Sequence, residues 1–138
     1  MGREPRPAAR RLGGRRPRVR PVGTVSQAGV LDLVAGADQG LGGGAVVDLL
    51  GGTPATVADR YALASPAALV PAAGPVVCVH GDADTIVPLD QSQRYVAAAE
   101  AARGNARLRV VPGADHFAVI DPAQPAWTAV RAEVESLL

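Results

Sequence analysis

The chain has 138 residues, 48% hydrophobic and 20% charged, which is typical of one globular domain and argues against a wholly disordered chain. No apolar run reaches the ~18 residues that cross a bilayer, which excludes a transmembrane protein, and the single Cys78 excludes a disulfide scaffold and predicts a cytoplasmic location. The net charge is only +1, although the first 20 residues carry eight arginines against one glutamate.

The N-terminal segment, residues 1–18, consists mainly of Arg, Pro and Gly, and we predict that it is a disordered arm. A basic arm of this kind can bind nucleic acid. However, the whole chain has one Trp, one Phe and two Tyr, which are too few for a base-stacking platform. Because nothing behind the arm resembles a nucleic-acid-reading module, nucleic-acid binding is not favoured.

A short strand and a long connector are predicted next. Residues 19–26 are apolar and β-branched, which indicates a strand. Residues 27–74 form an Ala/Gly-rich connector, with short helices predicted at 45–50 and 54–63 between glycine clusters. Residues 65–66, Ser-Pro, resemble a helix N-cap followed by proline at the first helical position.

Strands and helices then alternate to the end of the sequence. Residues 76–79 are apolar on both faces, as in a central parallel strand that helices cover on both sides. Residues 88–103 form a predicted helix, and residues 107–111 form a strand whose alternation indicates one wet face at a sheet edge. Residues 123–138 form a last helix with one apolar stripe.

This order predicts an α/β fold of about three parallel strands with flanking helices, joined by right-handed crossovers. In such sheets, functional side chains gather in the loops that follow the carboxyl ends of the strands. Two loops qualify, residues 80–88 and 112–122. Since they leave neighbouring strands at the same end, an acid from one and a histidine from the other can form two-thirds of a nucleophilic triad.

The two loops also carry the motifs of a known family. Residues 80–88 read HGDADTIVP and residues 113–116 read GADH. These segments match H-G-x-x-D-x-x-V-P and G-x-x-H, and in this order they resemble the α/β-hydrolase family, in particular its esterase and prolyl-oligopeptidase-like branches. The resemblance covers roughly residues 19–138 and corresponds to the C-terminal half of a complete hydrolase.

The resemblance implies that Asp84 is the acid of a catalytic triad and that His116 is its general base. A carboxylate oxygen of Asp84 is then expected about 2.6–3.2 Å from a ring nitrogen of His116, with Asp82 farther away. The family implies no cofactor, and its substrates are small acyl compounds such as esters, amides or peptide-like molecules. It also has its lid at the position of residues 27–74.

The family's nucleophile, a serine in a G-x-S-x-G elbow, has no counterpart in this sequence. None of the four serines has glycines two residues away on both sides, and Ser26, between Thr24 and Ala28, comes closest. Removing the nucleophile of a triad costs on the order of 10⁶-fold in rate. We therefore expect the C-terminal fragment of a serine hydrolase that is inactive alone.

Two other interpretations remain open for the chain as a whole. A non-catalytic α/β domain could bind a partner through its exposed sheet edge or its basic arm, and such an edge also favours self-association. An unrelated flavodoxin-like binding domain would not need Asp84 and His116 together.

Individual residues also have structural alternatives. Asp84 could cap the helix that follows it, and His116 could be an ordinary loop histidine. We interpret His80 as a structural residue at a strand end, Asp82 as a turn residue and Cys78 as an inert core thiol.

Overall fold

The computed structural model describes residues 19–138, so the predicted arm, residues 1–18, lies outside the described residues. The strands are β1 (Thr24–Gln27), β2 (Val76–Gly81) and β3 (Ala106–Val111). The α-helices are α1 (Leu33–Asp38), α2 (Leu41–Leu50), α3 (Ala58–Ala64), α4 (Asp90–Ala101) and α5 (Pro125–Ser136), and 3₁₀ turns lie at Pro66–Ala68 and Ala118–Ile120.

The three strands form one parallel sheet in the order β1-β2-β3. The predicted α/β fold is therefore confirmed, and β2 is the central strand with all six of its residues buried. The second strand, the third strand and the last two helices each begin and end within two residues of their predicted bounds.

Helices cover both faces of the sheet, and each face has its own core. On the face covered by α5, the buried side chains include Val77, Val79 and Val130. On the face covered by α4, they include Cys78 and Tyr95. Successive residues of β2 thus enter opposite cores, which is why its sequence is apolar throughout.

The first strand is shorter than predicted at its start. Residues 19–23 are not part of it, and Val19 and Val22 are exposed. In the parallel register Thr24 lies opposite Val76, the first residue of β2, so the preceding residues have no strand to pair with. Pro21 also lacks the N–H that a sheet ladder needs.

The polar face of β3 is exposed to solvent, and its two arginines contact a buried carboxylate. Arg107 and Arg109 both donate hydrogen bonds to the carboxylate of Glu133, a residue of α5 that is only 4% exposed. These contacts hold the pKa of Glu133 below its usual value, and the hydrogen bond from Arg107 has the largest effect. The prediction of one wet face is confirmed, because the side chains of Arg107 and Arg109 remain about half exposed. Their pairing with a buried carboxylate could not be predicted, because Glu133 lies 24 and 26 residues farther along the chain.

The connector contains three helices where the sequence predicts two. The two predicted helices, residues 45–50 and 54–63, correspond to the later part of α2 and to α3. The additional helix, α1, begins after Asp32, whose carboxylate accepts a hydrogen bond from the Ala35 N–H at 3.0 Å.

Among residues 19–138, no helix combines the length and the apolarity that crossing a bilayer requires.

Ser65 does not have the capping role that its sequence context predicts. Only a 3₁₀ turn, Pro66–Ala68, follows it, and its side chain makes no capping hydrogen bond there. Its hydroxyl instead accepts a hydrogen bond from the Leu33 N–H at 3.0 Å, so it connects the start of α1 to the end of α3.

Candidate active site

The loops that follow β2 and β3 lie side by side at the same end of the sheet. A Cβ atom on Gly81 would be 2.0 Å from the carbonyl oxygen of Ala114, so only glycine allows this approach of the two backbones. The N–H of Ala83 donates to the same carbonyl at 3.1 Å. The close approach brings the residues after each strand into one site.

Asp82 connects the two loops. Its Oδ1 accepts a hydrogen bond from the Gly113 N–H at 2.6 Å, across 31 residues of sequence. The interpretation of Asp82 as a turn residue was therefore incomplete. No sequence signal identifies this contact, because it depends on the register between β2 and β3.

Asp84 has a fully buried side chain that is held by its own loop. Its Oδ1 accepts hydrogen bonds from the N–H groups of Ile86 at 2.9 Å and Val87 at 2.8 Å. Both donors precede α4, which begins at Asp90, so Asp84 caps a loop turn and the alternative of a helix cap was wrong.

The other carboxylate oxygen of Asp84 contacts His116. Nδ1 of His116 lies 2.7 Å from Oδ2 of Asp84, within the expected range, and Asp82 makes no such contact. An ionised carboxylate only accepts, so Nδ1 carries the proton and Nε2 of the neutral ring has a free lone pair. Nε2 makes no hydrogen bond within residues 19–138, and the side chain is 25% exposed. This arrangement can take a proton from a group that approaches from outside.

The environment of Asp84 favours its ionised form. Burial opposes ionisation, but the hydrogen bonds from His116, Val87 and Ile86 outweigh it and hold the pKa of Asp84 below its usual value. At neutral pH the carboxylate is therefore charged and able to orient the imidazole and stabilise its protonated form.

The loop around His116 is held by a neighbour that the sequence analysis did not single out. Oδ1 of Asp115 accepts hydrogen bonds from the N–H groups of Phe117 at 3.0 Å and Ala118 at 2.9 Å. The ring of Phe117 meets that of His116 edge to face, with 5.3 Å between the centroids. An acid two and three residues before its donors is typical of such turns, so Asp115 could have been found from the sequence.

His80 lies behind this site, in the core. It is fully buried at the end of β2, with Nδ1 2.8 Å from Oγ of Ser92 and Nε2 2.8 Å from the carbonyl oxygen of Val87. Nε2 also lies 3.3 Å from Oδ2 of Asp84. Its contacts are therefore structural, as predicted, but they include the carboxylate of the candidate site.

Three of the four serines hydrogen-bond to groups other than His116. The hydroxyl of Ser65 bonds to Leu33, that of Ser92 to His80, and that of Ser136 to the carbonyl oxygen of Glu133. Ser26 lies in β1, opposite Cys78. Within the described part of the chain, His116 thus has an acid partner but no hydrogen bond to a serine.

Within residues 19–138, neither the thiol of Cys78 nor a metal-ligand cluster adds to the candidate site. Burial raises the pKa of the Cys78 thiol to about 11, partly offset by a hydrogen bond with Ser92, so the thiol is protonated at neutral pH. That agrees with an inert core thiol. In residues 19–138 no three His, Cys, Asp or Glu side chains lie together as metal ligands would.

A match to a protein family spans most of the chain. The model of the prolyl oligopeptidase family matches residues 23–133. No curated protein matches the chain significantly.

Solved structures with a similar fold include two hydrolases. An esterase from the Planctomycetes species Thermogutta terrifontis, Est2, has a TM-score of 0.51 and 23% identity, over 68% of this chain and 32% of the esterase. A mutant of puromycin hydrolase in a complex with PGG has a TM-score of 0.63 and 23% identity, over 84% of this chain and 17% of that one. The likeness concerns the fold, and the chain spans less than a third of either structure.

Proposed function

Because the chain belongs to the prolyl oligopeptidase family and has an α/β-hydrolase fold, we propose that Asp84 and His116 are the acid and the general base of a serine-hydrolase triad. The observation that carries this proposal is the 2.7 Å contact between Oδ2 of Asp84 and Nδ1 of His116, with Nε2 available at a partly exposed position.

In the proposed reaction, a serine hydroxyl attacks the acyl carbon of an ester, amide or peptide-like substrate. Nε2 of His116 takes the hydroxyl proton, and the carboxylate of Asp84 stabilises the imidazolium that forms. The proton then passes from Nε2 to the leaving alcohol or amine as the bond to the acyl carbon breaks. Water repeats the sequence on the acyl-enzyme and releases the acid.

The serine in this reaction is proposed to come from another part of the hydrolase. None of the four serines stands in a G-x-S-x-G elbow, and the chain corresponds to less than a third of each similar structure. We therefore propose that this chain is the C-terminal portion of a hydrolase and is inactive alone, with residues 27–74 in the position of a lid. A cytoplasmic location is proposed on the single, unoxidised Cys78.

The free edge of β1 is where the rest of the sheet would pair. Among the described residues β1 pairs only with β2, which leaves the backbone groups of its other edge without a neighbouring strand. A groove of about 260 Å³ runs beside this edge, and its lining is mainly apolar: Val22, Val25, Val130, Val134 and Leu137. An interior strand with its neighbour removed has these properties.

A fluorophosphonate probe tests the proposal in two steps. We expect the 138-residue chain alone to remain unlabelled and to hydrolyse 4-nitrophenyl butyrate no faster than background. The DNA upstream of the Met1 codon is then read in all frames for a G-x-S-x-G elbow, and the two parts are expressed as one chain. That chain is expected to be labelled at the elbow serine and to hydrolyse the ester.

Variants of the joined chain then separate the roles. His116→Ala and Asp84→Asn should each lower kcat by on the order of 10³-fold or more. Glu135→Gln is the matched control, because it removes one negative charge from an exposed position on α5. Stoichiometric labelling of Ser26 in the chain alone, or full activity of His116→Ala, would contradict the proposal.

The free edge of β1 favours one second function, a non-catalytic domain that binds a partner strand or a second copy of itself there. Absence of a G-x-S-x-G elbow upstream in any frame would support this alternative. The flavodoxin-like interpretation is wrong, because the chain belongs to a different family.

A further inference from the structure

The buried imidazole of His80 is not used by the proposed reaction, yet it contacts the acid of the triad. Its ring is 0% exposed, and Nε2 lies between the carbonyl oxygen of Val87 at 2.8 Å and Oδ2 of Asp84 at 3.3 Å. Both of these oxygens can only accept a hydrogen bond, since one is a backbone carbonyl and the other an ionised carboxylate. Nε2 must therefore carry a proton.

The other ring nitrogen is satisfied by Ser92. With its proton on Nε2, the neutral ring has a lone pair on Nδ1, and Oγ of Ser92 lies 2.8 Å away and donates to it. Ser92 is itself fully buried in the first turn of α4.

These bonds leave Asp84 with one orientation. Oδ1 accepts from the two backbone N–H groups of Ile86 and Val87, whereas Oδ2 faces two ring N–H groups, Nδ1 of His116 and Nε2 of His80. A rotation of the carboxylate would break the contacts on both oxygens. A carboxylate held in this way presents a fixed acceptor to the catalytic histidine.

We propose that Ser92 and His80 are positioning residues for the triad: Ser92 fixes the Nε2–H tautomer of His80, and His80 holds Oδ2 of Asp84 in place for His116. The catalytic significance of this arrangement depends on the proposed function. The arrangement itself can be measured without any hydrolytic activity.

The chain has only two histidines, so nitrogen NMR of the full chain labelled with ¹⁵N-histidine resolves both imidazoles. In the wild type we expect the Nε2–H tautomer for His80 and the Nδ1–H tautomer for His116. The Hδ1 proton of His116, bonded to Asp84, should resonate far downfield and exchange slowly with water.

The Ser92→Ala variant removes the donor to Nδ1 of His80. We expect a mixture of His80 tautomers and about fivefold faster exchange of the His116 Hδ1 proton, the change in population that one lost hydrogen bond produces. Ser92→Thr retains a hydroxyl and should restore both signals. Ser65→Ala is the matched control, because it removes the hydrogen bond of a similarly buried serine that does not contact His80.

An Nδ1–H tautomer of His80 in the wild type would overturn the proposal, as would an unchanged His116 signal in folded Ser92→Ala. If Ser92→Ala does not fold, the test rests on the wild type and on Ser92→Thr. The proposal is then supported if both proteins show the Nε2–H tautomer of His80 and the Nδ1–H tautomer of His116. It is overturned if Ser92→Thr shows a mixture of His80 tautomers. The proposed function fails separately, through the activity of His116→Ala in the joined chain.

Discussion

The two edges of the sheet differ in their chemistry. At one edge, β3 carries Arg107 and Arg109, which hydrogen-bond to the buried Glu133 of α5. At the other edge, β1 has no charged side chain, and an apolar groove that includes Val134 lies beside it. Charged side chains are a common protection of natural sheet edges against pairing. β3 therefore has the chemistry of a true edge, whereas β1 has that of an interior strand.

The candidate site also lies on one side of the sheet. The loops after β2 and β3 are joined by backbone contacts and by Asp82, and they bring Asp84 and His116 together. The proposed acid and base thus belong to the β2–β3 side of the sheet, and the nucleophile proposed for them would come from beyond β1.

The largest effect is expected where the β2–β3 side is closed most tightly. Gly81→Ala puts a Cβ atom 2.0 Å from the Ala114 carbonyl oxygen, so one of the two loops must move. The free energy of unfolding should fall by about 3 kcal/mol, and the downfield Hδ1 signal of His116 should be lost. Urea denaturation and proton NMR measure the two effects.

The control for this substitution is Gly74→Ala. A Cβ atom there would lie 3.7 Å from its nearest neighbour, which is an ordinary contact. Its free energy of unfolding should stay within about 0.5 kcal/mol of the wild type. An equally stable Gly81→Ala protein with an intact His116 signal would contradict the close approach of the loops.

A smaller effect is expected at the charged edge. Glu133→Gln removes the charge that both arginines contact and should lower the free energy of unfolding by about 1 kcal/mol at pH 7, since Arg107 and Arg109 are half-exposed and solvent weakens their contacts.

The effect of Glu133→Gln should depend on pH in a defined direction. The pKa of Glu133 is lowered in the folded state, so its stabilisation is complete above the unfolded pKa, about 4.3, and is lost as the pH falls through the folded value. Wild type and variant should therefore converge in acid when urea denaturation is repeated from pH 7 to pH 3. A difference that grows in acid would contradict this assignment.

The smallest effect on stability, but a clear one on association, is expected at the open edge. We expect the chain to self-associate through the β1 side, because within residues 19–138 its backbone groups and apolar groove have no neighbouring strand. Val134→Lys places a charge in the groove at a position that is 44% exposed, so it should cost less than about 0.5 kcal/mol and shift sedimentation towards the monomer.

Val110→Lys is the matched control at the other edge. Val110 is a β3 residue with a similar exposure, 40%, and it does not line the groove. Its sedimentation should equal that of the wild type. A wild-type chain that is already monomeric, or an equal effect of both variants, would remove the difference in association between the two edges.

The parts of the molecule that could be predicted from the sequence depend on local patterns. The apolar run of β2 and the periodic helices α4 and α5 identify the fold, and the two loop motifs, through their family resemblance, predict the contact between Asp84 and His116. The contact of Asp82 with Gly113 could not be predicted, because it depends on how two strands align. The contacts of Glu133 could not be predicted either, because its arginine partners lie 24 and 26 residues earlier in the chain and meet it only when α5 packs on β3.

The strand register has a consequence for the order of folding. Val76 of β2 pairs with Ala106 of β3, 30 residues away, and with Thr24 of β1, 52 residues away. Closing the longer loop costs about 0.5 kcal/mol more in chain entropy. The pairing of β1 with β2 involves only the four residues of β1, so few hydrogen bonds offset that cost. We therefore expect β2, α4 and β3 to form first and β1 to join last and to open first, so that its backbone amides exchange with deuterium ahead of those in β2.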